Sequence, residues 1–288
     1  PTPFHIYESE NFQMLQNRDF RNSIQETELI EMQKVRVRRD RPNGITWAFA
    51  LAVTMLFVYL ATLAIPEKDA EPVGARITRA IQLEPVSAAF VSLGAYPDAL
   101  NARVAAAEFM QRGAAGFVLM HEGKYHVLGA AYQDLASAKL QADALSTREK
   151  LPAAAFTIGE DGAKIRVTAP EFAVNAIANA ESTLRMQLGQ LGAIADRLDR
   201  NQITASQART LAAVAHSELH RAETALESTV GNALCQTLCA NLIAVESSLQ
   251  SIQSLETAAE ISGRLRFSQI QGLLGEIELL KSVNSSAK

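Results

Sequence analysis

Cysteine is nearly missing from this chain: 288 residues contain two, Cys235 and Cys239. Two are too few for a disulfide framework, and their spacing is wrong for a zinc knuckle. Both fall on one helical face, where a bridge within a single turn strains the geometry a disulfide needs, which leaves buried thiols or an intermolecular link. Positive charge is not in excess either. With 27 Lys and Arg against 31 Asp and Glu, the formal charge is -4, which argues against nucleic acid held by bulk charge. A catalytic constellation is also lacking. Glu108, Glu122 and Asp134 offer carboxylates of the kind that cleave glycans, but spacing pairs no two of them. His121 and His126 read as strand surface residues. His216 and His220 stand four apart, on one face of a helix as a metal pair requires, with Glu223 one turn further. Spacing fixes no third ligand, and HSELH lacks the glutamate position of the metalloprotease pattern. The expectation is a solvated helix face, with no metal, no cofactor and no enzyme.

One absence is informative in the other direction. From Ile45 to Ile65 there is no Asp, Glu, Lys, Arg, His or Pro. That stretch of about 21 residues matches the roughly 20 a helix needs to cross the hydrocarbon layer. A helix satisfies its own backbone hydrogen bonds, which lipid cannot do. Trp47 and Tyr59 lie toward its two ends, as interfacial residues do. The polar residues 1–44 precede it, unlike the layout of a cleaved signal. Lys34, Arg36, Arg38, Arg39 and Arg41 crowd its N-terminal flank, while Glu67, Asp69 and Glu71 follow it. Positive charge stays on the cytoplasmic side. Residues 45–65 are therefore expected to be a single-pass membrane anchor, with 1–44 a cytoplasmic tail and everything after Pro66 exported. A short helix is expected within the tail around Ser23–Val35.

After a linker at 66–84, with some helical tendency, short strands alternate with helices. AAFVSLGAY (Ala88–Tyr96) is a strand, and Asp98 caps a helix that reaches Arg112 and stops at Gly113. AGFVLM (Ala115–Met120) and KYHVLGAAY (Lys124–Tyr132) are strands joined at Glu122-Gly123, a hairpin signal. A helix over Asp134–Lys150 and a strand AAAFTIG (Ala153–Gly159) complete the order β-α-β-β-α-β. That order makes a four-stranded antiparallel sheet with two helices on one face. Alternation sends Val91, Leu93, Tyr125 and Val127 to the helix side and leaves Phe90, Ser92, His126 and Leu128 on the open face.

Beyond Thr168 apolar residues recur at helical spacing, as in Leu184, Leu188, Leu191, Ile194 and Leu198. Thr204-x-x-Gln207 is a capping-box pattern. Breaks fall at Asn201, at Gly231-Asn232 and near Thr257–Gly263, so 168–281 is expected to be an all-α bundle of three or four long helices, with a frayed tail from Ser282.

Two half-repeats, FVSLGAYPDALNARVAAAEFMQRGAAGFVL and GKYHVLGAAYQDLASAKLQADAL, carry a resemblance. Each is an apolar strand ending in a Gly-Ala and aromatic pattern, followed by a helix with early alanines. Residues 85–160 resemble the SPOR (sporulation-related) domain of bacterial cell-envelope proteins. The resemblance implies an α+β, ferredoxin-like module that binds peptidoglycan glycan strands stripped of their stem peptides, at division or sporulation septa. The glycan would lie across Phe90, Ser92, His126 and Leu128. This chain departs from the family pattern at several of these positions. Ser92 stands where Gln is frequent, His126 and Leu128 where Arg and another polar residue are common, and Ala130-Ala131 replaces Gly-Pro. Leu128 cannot hydrogen-bond a sugar. The expected partners are glycan strands, the membrane, and an envelope protein or a second copy through the C-terminal helices, with no nucleic acid. The alternative is an envelope scaffold making only protein contacts, its SPOR-like fold no longer binding glycan.

Overall fold

Alternating apolar residues in RITRAIQL and AKIRVTAP pair these two segments across a long sequence separation. In the computed structural model, which describes residues 76–227 and 233–286, they form β1 (Arg76–Leu83) and β6 (Ala163–Pro170), an antiparallel ribbon with Leu83 opposite Ala163 and Arg76 opposite Pro170. Ile81, Leu83, Ala163 and Val167 turn inward into the main core. The expected linker at 66–84 thus ends in a strand. Its partner lies some eighty residues on, so local composition could not reveal the pairing. Gly162 makes the ribbon possible, because a Cβ there would stand 2.6 Å from the Leu83 carbonyl oxygen.

The ribbon runs on into a second sheet, β1 leading into one of its strands and β6 following another, and those two strands also pair with each other. β2 (Val86–Tyr96), β3 (Phe117–His121), β4 (Lys124–Tyr132) and β5 (Ala154–Glu160) are antiparallel in the order β3-β4-β2-β5. Glu122 and Gly123 both have positive φ, 49° and 77°, the backbone of a tight type I′ hairpin. Helices α1 (Ala99–Gln111) and α2 (Leu135–Arg148) cover one face. Each starts on an aspartate: Asp98 accepts from the Asn101 amide at 2.9 Å and Asp134 from the Ser137 amide at 2.7 Å. These bonds hold both carboxyls below the usual carboxylate range.

Four long helices follow among the described residues: α3 (Glu171–Asp199), α4 (Ala205–Glu227), α5 (Ala233–Gln250) and α6 (Ala258–Ser286). Leu184, Leu188, Leu191, Ile194 and Leu198 all face the core of this bundle. Asn201, with φ of 56°, breaks the chain between α3 and α4. Thr204 and Gln207 exchange backbone-to-side-chain bonds at 2.9 and 3.2 Å, the capping box that opens α4. Thr257 and Glu260 do the same for α6. Gly263, expected near a break, lies inside α6. A Cβ there would meet the Ala114 carbonyl oxygen at 2.6 Å, so glycine lets α6 close on the loop after α1. The tail from Ser282 stays helical to Ser286, and Asn284 donates to Glu160 Oε1 at 2.9 Å and to the Asp161 carbonyl at 3.1 Å.

The two segments expected as separate domains, 85–160 and 168–281, share one compact unit. Arg266 of α6 joins them: its guanidinium donates to the Gly113 carbonyl and to Asp196, and pairs with Asp199 at 2.7 Å. The architecture is α+β, with two antiparallel sheets and six helices among the described residues. No described helix is long and apolar enough to cross a membrane. The expected tail at 1–44, its helix at Ser23–Val35, the anchor at 45–65 and the break at Gly231-Asn232 lie outside the described residues.

Candidate functional site

The four residues nominated on the sheet share a face, as alternation requires. Val91 and Leu93 pack with Ala138 and Ala142 of α2, and Val127 with Ala102 and Ala106 of α1. Phe90 and Leu128 point the other way. That other face is not open. Phe90 and Leu128 are both 0% exposed and Ser92 is 1% exposed. The cover is α6, which lays Ile270, Phe267 and Leu274 over Phe90, Leu128 and Phe117; the Phe117 and Phe267 ring centroids are 5.2 Å apart. Phe90, Ser92 and Leu128 are therefore interior residues, and the expectation of an open face is corrected. The physical reason is area: an apolar sheet face of this size stays in water only at a cost of roughly 25 cal/mol per Å². α6 carries a second apolar stripe able to remove that cost.

Ser92 and His126 do meet. Ser92 Oγ donates to the Gly94 carbonyl at 3.0 Å and lies 3.1 Å from His126 Nδ1. Because the hydroxyl has one proton and gives it to Gly94, the ring bond calls for Nδ1–H on His126, leaving Nε2 as an acceptor. The pairing sits at a register irregularity in β2 and β4, on either side of the Ser92–Leu128 pair. Burial, with the neighbouring His121 charge second, pushes the His126 imidazole below its ordinary value. The neutral ring is edge-on to Phe156, centroids 5.2 Å apart, and His121 stacks flat on the same phenyl ring at 4.7 Å.

Where α6 and α5 run past the β3 edge they leave a groove of about 690 Å³. Its floor is Phe117, Leu119 and Ile158, and its rim includes His121, Asn241, Gln271, Glu278 and Lys281. Gln271 Oε1 is buried without a hydrogen-bond partner among the described residues. Sequence reasoning missed Asn241, Gln271 and Lys281, because nothing local says that α5 and α6 border the sheet. A signal did exist: α6 is apolar at 267, 270 and 274 as well as at 261, 265, 277 and 280, more than one packing stripe. Comparison with family models, curated proteins and solved structures finds no match to this chain.

The carboxylates weighed for glycan cleavage stay apart in role. Asp134 caps α2, and Glu122 forms the hairpin turn, 3.9 Å from His121 Nε2. Cys235 and Cys239 are buried and form no disulfide. His216 and His220 lie on α4, which packs on α3 and α5. There they meet Glu246 of α5: His216 Nε2 is 3.4 Å and His220 Nδ1 is 3.1 Å from Glu246 Oε1. His220 Nδ1 is also 3.1 Å from Glu223 Oε2.

Proposed function

We propose that this chain is a membrane-anchored cell-envelope scaffold, built on a SPOR-like module whose glycan-side face has been given over to the chain's own C-terminal helix. The strand and helix order over 86–160, the two aspartate-capped helices and the half-repeats support the resemblance. The basic-flanked run at 45–65 supports the anchor, with 1–44 cytoplasmic and the rest exported. One observation carries the choice of a scaffold over a glycan binder: Phe90 and Leu128 are fully buried beneath Ile270 of α6. A polysaccharide on that face would have to displace an apolar helix, losing burial of several large side chains, each worth about 1.5–3 kcal/mol. The role is contact with protein partners.

A second reading has its own observation. The groove beside β3 has an apolar floor, polar groups on the rim and the His121–Phe156 stack at its end, a combination that suits a peptidoglycan glycan strand. The test is retention of the full, detergent-solubilised chain on purified peptidoglycan, with and without amidase removal of stem peptides. The scaffold reading expects no retention above background on either material. Retention on denuded glycan that is abolished by His121→Glu with Gln271→Glu would replace it with glycan binding in the groove.

A further inference from the structure

We propose that His216, His220, Glu223 and Glu246 form a binding site for a divalent first-row transition metal, zinc being the ion that best fits the donors. Three of the four ligand atoms, on His220, Glu223 and Glu246, lie within 4.8 Å of one another. His216 Nε2 is 3.4 Å from Glu246 Oε1 but stands outside that group of three, so it would have to swing inward to complete the set. Metal bonds of about 2.0–2.1 Å to nitrogen and oxygen in a tetrahedron set its edges at about 3.3–3.4 Å. The separations of 3.1, 3.1 and 3.4 Å come close to those edges with no ion present to draw the groups in.

Proton counting points the same way. A single ring nitrogen, His220 Nδ1, faces two carboxylate oxygens, and a single oxygen, Glu246 Oε1, faces two ring nitrogens. One N–H cannot serve two carboxylates at full strength, whereas a cation at the centre serves every donor at once. The carboxylates are also under-compensated. The side chains of Glu223 and Glu246 are only 12% and 16% exposed, and among the described residues neither pairs with a Lys or Arg. Glu227 adds to the negative field, since it groups with Glu223 and the Cys239 thiol. Two imidazoles with two carboxylates favour Zn²⁺ or a neighbouring transition metal over Mg²⁺ and Ca²⁺, which prefer all-oxygen shells. The bound ion would pin α4 to α5, adding to the apolar contacts and the histidine–glutamate pairs that already join them.

The experiment uses the full, tag-free chain in detergent, stripped with chelator and titrated with ZnCl2 by calorimetry. One equivalent should bind saturably and raise Tm, with no shift from Mg²⁺ or Ca²⁺. His220 is 61% exposed, so His220→Ala should leave the metal-free melting curve in place while weakening zinc binding by about tenfold or more. Glu246→Gln should do the same, and Co²⁺ should give the visible bands of a tetrahedral site in the wild type but not in His220→Ala. Cys235→Ser with Cys239→Ser should keep zinc affinity unchanged. Absence of saturable binding overturns the proposal. So does binding that survives His220→Ala undiminished, or binding that disappears in the Cys→Ser variant, which would assign the ion to the thiols. If Glu246→Gln fails to fold, His220→Ala and the Co²⁺ spectrum decide.

Discussion

Glu276 shows how much one side chain can be asked to tolerate. It lies on the inward side of α6, 3% exposed, with the Arg185 guanidinium 3.8 Å away. Arg185 is shared, since Glu181 takes it at 2.8 Å. Burial pushes the Glu276 carboxyl up to about 7; Arg185 pulls it back only in part, and the Glu181 charge adds to the rise. Glu181 is itself raised by burial. The sign follows from proton counts. Between the unperturbed value near 4.5 and about 7, the folded state holds a proton that the unfolded state has released, so stability falls as pH rises. Wild-type stability should drop between pH 5 and pH 8 by about 3 kcal/mol from this group. Glu276→Gln should flatten that slope and be the more stable protein at pH 8, as read by urea melts at both pH values. An unchanged slope in the variant would show that the carboxyl is ionised throughout. None of this was legible in the sequence, where Glu276 is one of two acids in GEIELL; burial is a property of its neighbours.

At the scale of elements, sequence and structure agree wherever the cause is local. Asp98 and Asp134 cap helices because a short carboxylate reaches the amide three residues on. Glu122-Gly123 turns because Gly123 takes positive φ freely, and Glu122 adopts it beside it at some steric cost. Val91 and Leu93 separate from Phe90 and Ser92 because strand side chains alternate. The failures share a cause too. β1 and β6 were invisible because each is stabilised by the other, and α6 looked like a bundle helix because only one of its stripes was read. That second stripe makes α6 the element on which the candidate site turns. Ile270 is 0% exposed against Phe90 and Leu128, so Ile270→Ala should cost about 2–5 kcal/mol. The loss should loosen the sheet as well as the bundle, read as faster amide exchange at Phe90 and Leu128. Faster exchange confined to the helices would mean that α6 does not hold the sheet.

For the whole molecule, the proposed anchor at 45–65 carries a testable claim about the side of a membrane on which this unit would stand. If that anchor spans, the five cations before Ile45, against acids after Ile65, would keep the N-terminus cytoplasmic. A cysteine introduced at Asp69 should react with an impermeant thiol reagent on intact cells stripped of wall, and one introduced at Ser23 should react only after lysis. The background should be low, since Cys235 is 2% and Cys239 9% exposed. Reversed labelling would remove the envelope from the proposed function altogether. The shared core also changes how the chain can be dissected. Cutting between β5 and α3 would uncover Phe90 and Leu128 on one piece and Phe267 and Ile270 on the other, so the module and the helices are one working part.

The sequence by itself determined what depends on neighbours along the chain: the apolar span, the strands and capped helices of 86–160, the helical period after 170, and which side chains share a sheet face. Only the tertiary structure decided what each face touches. It closed the sheet with α6, drew β1 to β6, and brought Glu246 to His216 and His220. The reason is that secondary structure follows from periodicity and backbone chemistry within a few residues, whereas burial, ion pairs and ligand sets depend on contacts between segments far apart in the chain. A pattern of residues states that a face must be covered, and packing selects what covers it.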